Sequence, residues 1–118
     1  MSKKIERIIE KVLIGESINA KEVAKILWSP DFDMKNQVWV SGDTLEIATS
    51  YWVGAKDAQK KLIDDWTKPT GTYAKYFNDT YGISFELVKT QEYTNAEGKY
   101  KKFAGPDAGV IVIFVKVK

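Results

Sequence analysis

The chain has 118 residues, of which 44% are hydrophobic and 29% charged, and its formal net charge at pH 7 is +2. This composition predicts one folded domain over residues 1–118 and excludes a disordered chain. No apolar run approaches the ~20 residues that a bilayer-spanning helix needs, so no membrane partner is expected. Histidine and cysteine are absent, which excludes disulfides, histidine or cysteine metal ligands and a thiol nucleophile, and which makes a cytoplasmic location the default expectation.

The first part of the chain predicts two helices. Apolar residues recur at helical spacing from Ile5 to Leu13, and Gly15 follows at a position typical of a helix C-terminus. Asn19 and Glu22 form the pattern of a capping box for a second, short helix that extends to Leu27. This second helix lacks the arginine, glutamine and asparagine side chains that read base edges, so we interpret the pair as the cover of a sheet and not as a helix-turn-helix motif.

Hydrophobic residues alternate with a period of two between Gln37 and Ile47. Two alternating segments flank Ser41-Gly42-Asp43, a sequence typical of a turn, and together they predict a β-hairpin that closes with Tyr51 and Trp52. One side of the hairpin consists of Val38, Val40, Leu45 and Ile47, and the other side of Trp39, Glu46 and Ala48. The first side is predicted to face the core because all four residues are apolar.

Two further helices are predicted after the hairpin. An amphipathic helix extends from Gly54 to Trp66, and a short aromatic helix extends from Tyr73 to the vicinity of Gly82. The connection between them, Lys68-Pro69-Thr70-Gly71-Thr72, lacks the spacing of a phosphate-binding P-loop. We therefore interpret it as a loop in which a threonine caps the aromatic helix.

The remaining residues predict a three-stranded meander. Ile83 to Tyr93 form one strand, residues 95–98 a turn, Lys99 to Phe103 the start of the return strand, and Val110 to Val117 the strongest strand signal of the chain. The last strand is apolar on both faces, which predicts a position in the middle of the sheet. The expected fold is therefore α+β, with a mostly antiparallel sheet of about five strands, built from the hairpin and this meander, and with three to four helices covering one face.

Aromatic and basic residues are interleaved in two segments, around Lys75 and around Lys101. Aromatic rings stack on the bases of a single strand at roughly 1–3 kcal/mol per base, and lysines neutralise its phosphates. The predicted stacking groups are Trp39, Tyr73, Tyr76, Tyr100 and Phe103. The predicted phosphate partners are Lys75, Lys99, Lys101 and Lys102. Three other aromatic residues, Trp66, Phe85 and Phe114, are expected in the core.

The distribution and type of the basic residues indicate the class of partner. Residues 99–118 carry five lysines against Asp107, and Arg7 is the only arginine of the chain. Lysine is a flexible point charge, whereas arginine forms the bidentate contacts that distinguish guanine. We therefore predict a small non-enzymatic binding protein that engages single-stranded DNA or RNA with little sequence preference and without a metal or another cofactor.

A protein-interaction or assembly module is the first alternative, for example an accessory or inhibitory protein of a virus or mobile element. Val110, Val112 and Phe114 give the C-terminal strand a second apolar face, which a small monomer has difficulty in covering. This alternative predicts a homodimer that forms through the C-terminal strand.

A metal-dependent nuclease is the second alternative. Asp79 followed by Glu97-Gly98-Lys99 imitates the acidic-acidic-lysine pattern of such enzymes. Further oxygen ligands are offered by Asp31, Asp33 and Asp43. Because Glu97 falls in the predicted turn and no known metal-loop spacing is met, no catalytic or metal-binding residue is assigned.

Overall fold

The computed structural model describes residues 18–52, 57–93, 98–103 and 108–118. Its elements, in chain order, are α1 (Ala20–Leu27), β1 (Val38–Ser41), β2 (Thr44–Trp52), α2 (Ala58–Thr67), α3 (Thr72–Tyr81), β3 (Phe85–Tyr93), a 3₁₀-helix (Gly98–Phe103) and β4 (Ala108–Val117). The helix predicted between Ile5 and Leu13, the start of the helix predicted from Gly54 and most of the turn predicted at residues 95–98 lie outside the described residues. None of the helices in the described ranges has the length and apolarity that crossing a bilayer requires.

The strands of the described ranges form one sheet in the order β1-β2-β4-β3, and every neighbouring pair is antiparallel. β1 and β2 form the predicted hairpin, whose turn at Gly42 has a φ of +61°, a conformation that glycine adopts without steric cost. β2 and β3 are both antiparallel to β4, so they run parallel to each other and are joined through α2 and α3. β4 lies between two paired neighbours, which confirms its predicted central position.

The segment from Lys99 to Phe103 is not a strand, so the sheet has four strands within the described residues and not about five, whereas the α+β class with an antiparallel sheet is confirmed. The segment belongs to the 3₁₀-helix instead. Residues three apart eclipse in a 3₁₀-helix, so Tyr100 and Phe103 both pack against the sheet. A strand would direct these two side chains to opposite sides and would leave one ring without this packing.

The helices α1, α2 and α3 pack on one face of the sheet, and the 3₁₀-helix packs on the other face, for which the sequence predicts no element. The buried core between the α-helices and the sheet contains Val23, Leu27, Val38, Leu45, Ile47, Trp66, Phe77, Ile111, Ile113 and Val115. α1 begins at the predicted capping box, in which the backbone N–H of Glu22 donates to Asn19 Oδ1 at 2.9 Å. The backbone N–H of Asn19 donates in return to Glu22 Oε1 at 3.1 Å.

The face of the sheet opposite the α-helices is also apolar at its centre. The residues of this centre are Ala48, Val110 and Val112, packed with Tyr93, Tyr100 and Phe103. The second apolar face of β4, which motivated the homodimer alternative, is therefore covered largely within the chain. Phe114, which was expected in the core, is half-buried at the margin of this face, because it alternates with the buried residues Ile113 and Val115.

Candidate functional site

The sheet face opposite α1, α2 and α3 carries aromatic rings and lysines, and we call it the aromatic–lysine face. It consists of Trp39, Lys89, Tyr93, Lys99, Tyr100, Lys102, Phe103 and Phe114. Trp39 and Phe114 belong to it because their neighbours along β1 and β4 point into the core. In β3, a bulge between Leu87 and Lys89 shifts the alternation, so that Lys89 faces the same side as Phe114.

A cross-strand row of side chains occupies one end of the aromatic–lysine face. Trp39 of β1 pairs with Glu46 of β2, and Glu46 pairs in turn with Phe114 of β4. Phe114 then pairs with Lys89 of β3. Because directly opposite residues have Cα atoms about 5 Å apart, the Glu46 side chain starts between two aromatic residues that are roughly 10 Å apart at their Cα atoms.

Three lysine ammonium groups lie over the aromatic rings of this face. Lys99 Nζ is 4.5 Å from the centroid of the Trp39 ring, and Lys102 Nζ is 5.8 Å from the same centroid. Lys89 Nζ is 4.6 Å from the centroid of Phe114. A cation over a ring face is attracted by the ring quadrupole, by about 0.5–1 kcal/mol at an exposed site, so positive charge and aromatic surface coincide.

The Glu46 carboxylate connects the 3₁₀-helix to the sheet. Its Oε2 atom lies 2.7 Å from Lys99 Nζ and accepts a hydrogen bond from the Tyr100 hydroxyl. The Glu46 side chain is 17% exposed, which strengthens both interactions relative to fully solvated ones. The Tyr100 ring stacks on Tyr93 at a centroid distance of 5.4 Å and meets Trp39 edge-on at 5.7 Å. These contacts hold the 3₁₀-helix against the sheet.

An open pocket of about 290 Å³ lies at the Trp39 end of the face. It is lined by Trp39, Val40, Ser41, Thr44, Glu46, Lys99 and Phe114. Two rings, two hydroxyls, one carboxylate and one ammonium therefore converge on a space at the small end of ligand pockets. This arrangement suits a flat group that carries hydrogen-bond donors on its edge.

Five of the predicted site residues belong to the aromatic–lysine face. They are Trp39, Lys99, Tyr100, Lys102 and Phe103. Lys101 is exposed on the same 3₁₀-helix. The structure thus brings the residues predicted around Lys101 together with the hairpin tryptophan, although the segment is helical and not extended as expected.

The other three predicted site residues, Tyr73, Lys75 and Tyr76, lie on α3, in the helical layer on the opposite side of the sheet. Tyr73 stacks on the buried Trp66 ring at 4.4 Å, and its burial raises the pKa of its phenol. Lys75 forms an ion pair with Asp79 at 2.6 Å. The predicted residues therefore do not form a single patch.

Five residues of this region were not predicted as site residues: Glu46, Trp52, Lys89, Tyr93 and Phe114. Trp52 is 72% exposed, the highest value among the large hydrophobic side chains of the described ranges. It shares the period-two position of Glu46 and Ala48 on β2, which places it on the same sheet face as Trp39. The alternation along β2 was sufficient to predict the face on which Trp52 lies. The face on which Lys89 lies depends on the bulge in β3, which the sequence did not indicate.

The residues of the nuclease alternative do not converge in the structure. Asp79 belongs to α3 and Lys99 to the 3₁₀-helix, on opposite sides of the sheet, and Glu97 lies outside the described residues. Within the ranges that the structure describes, no three acidic side chains are close enough to hold a metal ion together. No known protein family, curated protein or solved structure matches this chain.

We expect the free energy of unfolding to fall as the pH rises above about 10. Burial, with a smaller contribution from Tyr76, raises the pKa of Tyr81 to about 12. Burial and the hydrogen bond to Glu46 raise the pKa of Tyr100 above its usual value of 10.0. Above that usual value the unfolded chain loses phenol protons that the folded protein retains, so stability that is fully present at lower pH is lost as the pH passes through the folded-state pKa values.

Urea unfolding midpoints, measured from neutral pH to about pH 12, test this expectation. The matched variant is Tyr100→Phe, which keeps the ring but removes the titrating hydroxyl. Its midpoint should fall less steeply in the alkaline range than that of the wild type. Two parallel curves would show that Tyr100 does not contribute to the alkaline loss of stability.

Proposed function

We propose that this protein binds single-stranded nucleic acid, with little overall sequence preference, through the aromatic–lysine face. The observation that carries the proposal is the position of Lys99 Nζ and Lys89 Nζ, 4.5 and 4.6 Å from the ring centroids of Trp39 and Phe114 on the sheet face opposite α1, α2 and α3. Rings that stack on bases and ammonium groups that neutralise phosphates are the two components of a single-strand site.

An incoming base would take the place of the ammonium group over the ring. Lysine has a flexible four-carbon stem, so Lys99 and Lys102 can leave the Trp39 ring and move to the phosphates that flank the stacked base. Stacking contributes roughly 1–3 kcal/mol per base, which exceeds the cation–π attraction of about 0.5–1 kcal/mol that is given up. The ammonium groups of both lysines therefore remain in the complex, where they contact phosphates and no longer the Trp39 ring.

Trp39 and Trp52 mark two ends of a path across the face. Glu46, the partner of Trp39, lies six positions before Trp52 on β2, which corresponds to roughly 20 Å at the rise of a β-strand. The 3₁₀-helix lies on the sheet between these ends and presents the exposed residues Lys101 and Lys102. A strand of several nucleotides would follow this path, with its bases toward the rings.

We expect a single-stranded oligonucleotide of about 12 nucleotides to quench the tryptophan fluorescence and to bind more weakly as salt is added. With three or four phosphate contacts, the affinity should fall about 20- to 50-fold between ~50 and ~200 mM salt, because single strands release about 0.7 counterions per contact. Titrations at the two salt concentrations measure this loss. Absence of binding at the lower concentration would overturn the proposal.

The lysines on the two sides of the sheet provide a matched control for the position of the site. Lys102→Gln and Lys75→Gln remove the same charge, the first from the aromatic–lysine face and the second from α3. Lys102→Gln should weaken binding and reduce the salt dependence by about 0.7 in the logarithmic slope, whereas Lys75→Gln should change neither. Equal effects of the two variants would place the site elsewhere.

A further inference from the structure

The Glu46 carboxylate is the least expected neighbour of the aromatic–lysine face, because a negative charge opposes phosphate. It lies at the centre of the row Trp39–Glu46–Phe114 and lines the 290 Å³ pocket between the two rings. Its side chain is 17% exposed, so it does not extend into solvent as an ordinary surface glutamate does. A flat group that enters between the rings meets this carboxylate with its edge.

We infer that this pocket is a base subsite that favours bases with an amino group, and cytosine over thymine or uracil among the pyrimidines. The inference rests on the proposed function and specifies the ligand of the same face. The pocket lies at the small end of the ~300–1,000 Å³ range of ligand sites, which suits one base without its phosphates. The sugar–phosphate chain then lies outside, where Lys99 and Lys102 are exposed.

The preference follows from hydrogen-bonding capacity. An ionised carboxylate only accepts hydrogen bonds, and the exocyclic N4 amino group of cytosine donates to Glu or Asp side chains in known base recognition. Thymine and uracil present the O4 carbonyl at the equivalent position, so that an acceptor would face an acceptor. Cytosine has nearly the same size and stacking surface as thymine and uracil, so the carboxylate is the group that distinguishes cytosine from the other two bases.

Lys99 acts in the free protein as the internal occupant of this subsite. Its ammonium group combines the two contacts that the base would make, since it lies over the Trp39 ring at 4.5 Å and 2.7 Å from Glu46 Oε2. When a cytosine enters, its ring replaces the ammonium on Trp39 and its amino group replaces the ammonium on Glu46. The released ammonium can then pair with the adjacent phosphate, and the carboxylate keeps hydrogen bonds from the Tyr100 hydroxyl and from the amino group of the base.

Oligonucleotides of deoxycytidine and of deoxythymidine, equal in length and titrated at one salt concentration and slightly alkaline pH, test the inference. The deoxycytidine strand should bind about tenfold more tightly, which corresponds to one favourable base contact. Glu46→Gln should bring the two affinities close together, because an amide can both donate and accept. The same variant should bind the deoxythymidine strand more tightly, because it removes a negative charge and an acceptor that faces the O4 carbonyl.

Glu86→Gln is the matched control. Glu86 lies on β3 opposite Lys116 and pairs with Lys118, so this variant removes the same charge from a residue that does not line the pocket. It should retain the tenfold preference of the wild type. Equal binding of the two strands by the wild type would overturn the inference and leave the proposed function standing. Failure of both strands to bind would overturn the proposed function itself, and neither result depends on a variant that has to fold.

Discussion

Gly71→Ala is expected to lower the free energy of unfolding by at least about 3 kcal/mol. A Cβ atom at this position would lie 2.1 Å from the carbonyl oxygen of Asp64 and 2.7 Å from that of Asp65. Both oxygens belong to the backbone of α2 and cannot rotate away as a side chain would. Because φ of Gly71 is −66°, the expected effect is purely steric and arises from the close approach of α3 to the end of α2.

Gly82→Ala is the matched control, since Gly82 caps the other end of α3. This glycine has a φ of +69° and no atom within 4 Å of an added Cβ, so alanine there should cost only the roughly 1–2 kcal/mol of a left-handed residue. Urea unfolding followed by circular dichroism compares the two variants with the wild type. A Gly71→Ala protein as stable as Gly82→Ala would show that the two helices can separate at little cost.

Trp66→Ala is expected to destabilise the protein by about 3–5 kcal/mol. The Trp66 side chain is fully buried, stacks on Tyr73 at 4.4 Å and meets Phe85 edge-on at 5.3 Å. It therefore joins α2 to α3 and to the edge strand β3. Removal of the ring leaves a large cavity that the surrounding aromatic residues cannot fill without leaving their own contacts.

Trp66→Phe should be clearly less destabilising than Trp66→Ala. The buried indole Nε1 of Trp66 finds no acceptor within the part of the chain that the structure describes, and a buried donor without a partner costs about 1–3 kcal/mol. Phenylalanine removes this donor and keeps most of the ring volume. Trp52→Ala, at the exposed tryptophan, should change stability by less than about 0.5 kcal/mol. Denaturant unfolding measures the stability of the three variants. Equal stabilities of Trp66→Phe and Trp66→Ala would contradict this expectation.

Local sequence patterns were sufficient to predict the elements whose hydrophobic periodicity is compatible with only one kind of secondary structure. The alternation of Val38 and Val40 with Trp39 predicted both the hairpin and its two faces, and the Asn19–Glu22 pair predicted the start of α1. The 3₁₀-helix was not predictable in this way. Lys99 to Phe103 contains no residue that excludes a strand, and only the apolar surface of Val110 and Val112 makes the packing of Tyr100 and Phe103 favourable.

The candidate site was predictable in composition but not in position. Tyr73 and Tyr100 have similar sequence surroundings, yet one stacks on Trp66 in the helical layer and the other packs on the opposite sheet face. Their difference arises from tertiary contacts, which a local segment does not contain. Lys89 faces Phe114 only because of the β3 bulge, and Glu46 gains its role from partners far away in the chain.

The central position of β4 bears on the order in which the chain assembles. The β1–β2 hairpin and β3 share no edge, because β4 lies between them and follows both in sequence. During synthesis on a ribosome, the hairpin and β3 emerge before the strand that joins them, and their open edges are prone to pair with other chains. Contacts between residues distant in sequence slow folding, so the sheet is completed in one late step that requires the residues from Ala108 onward.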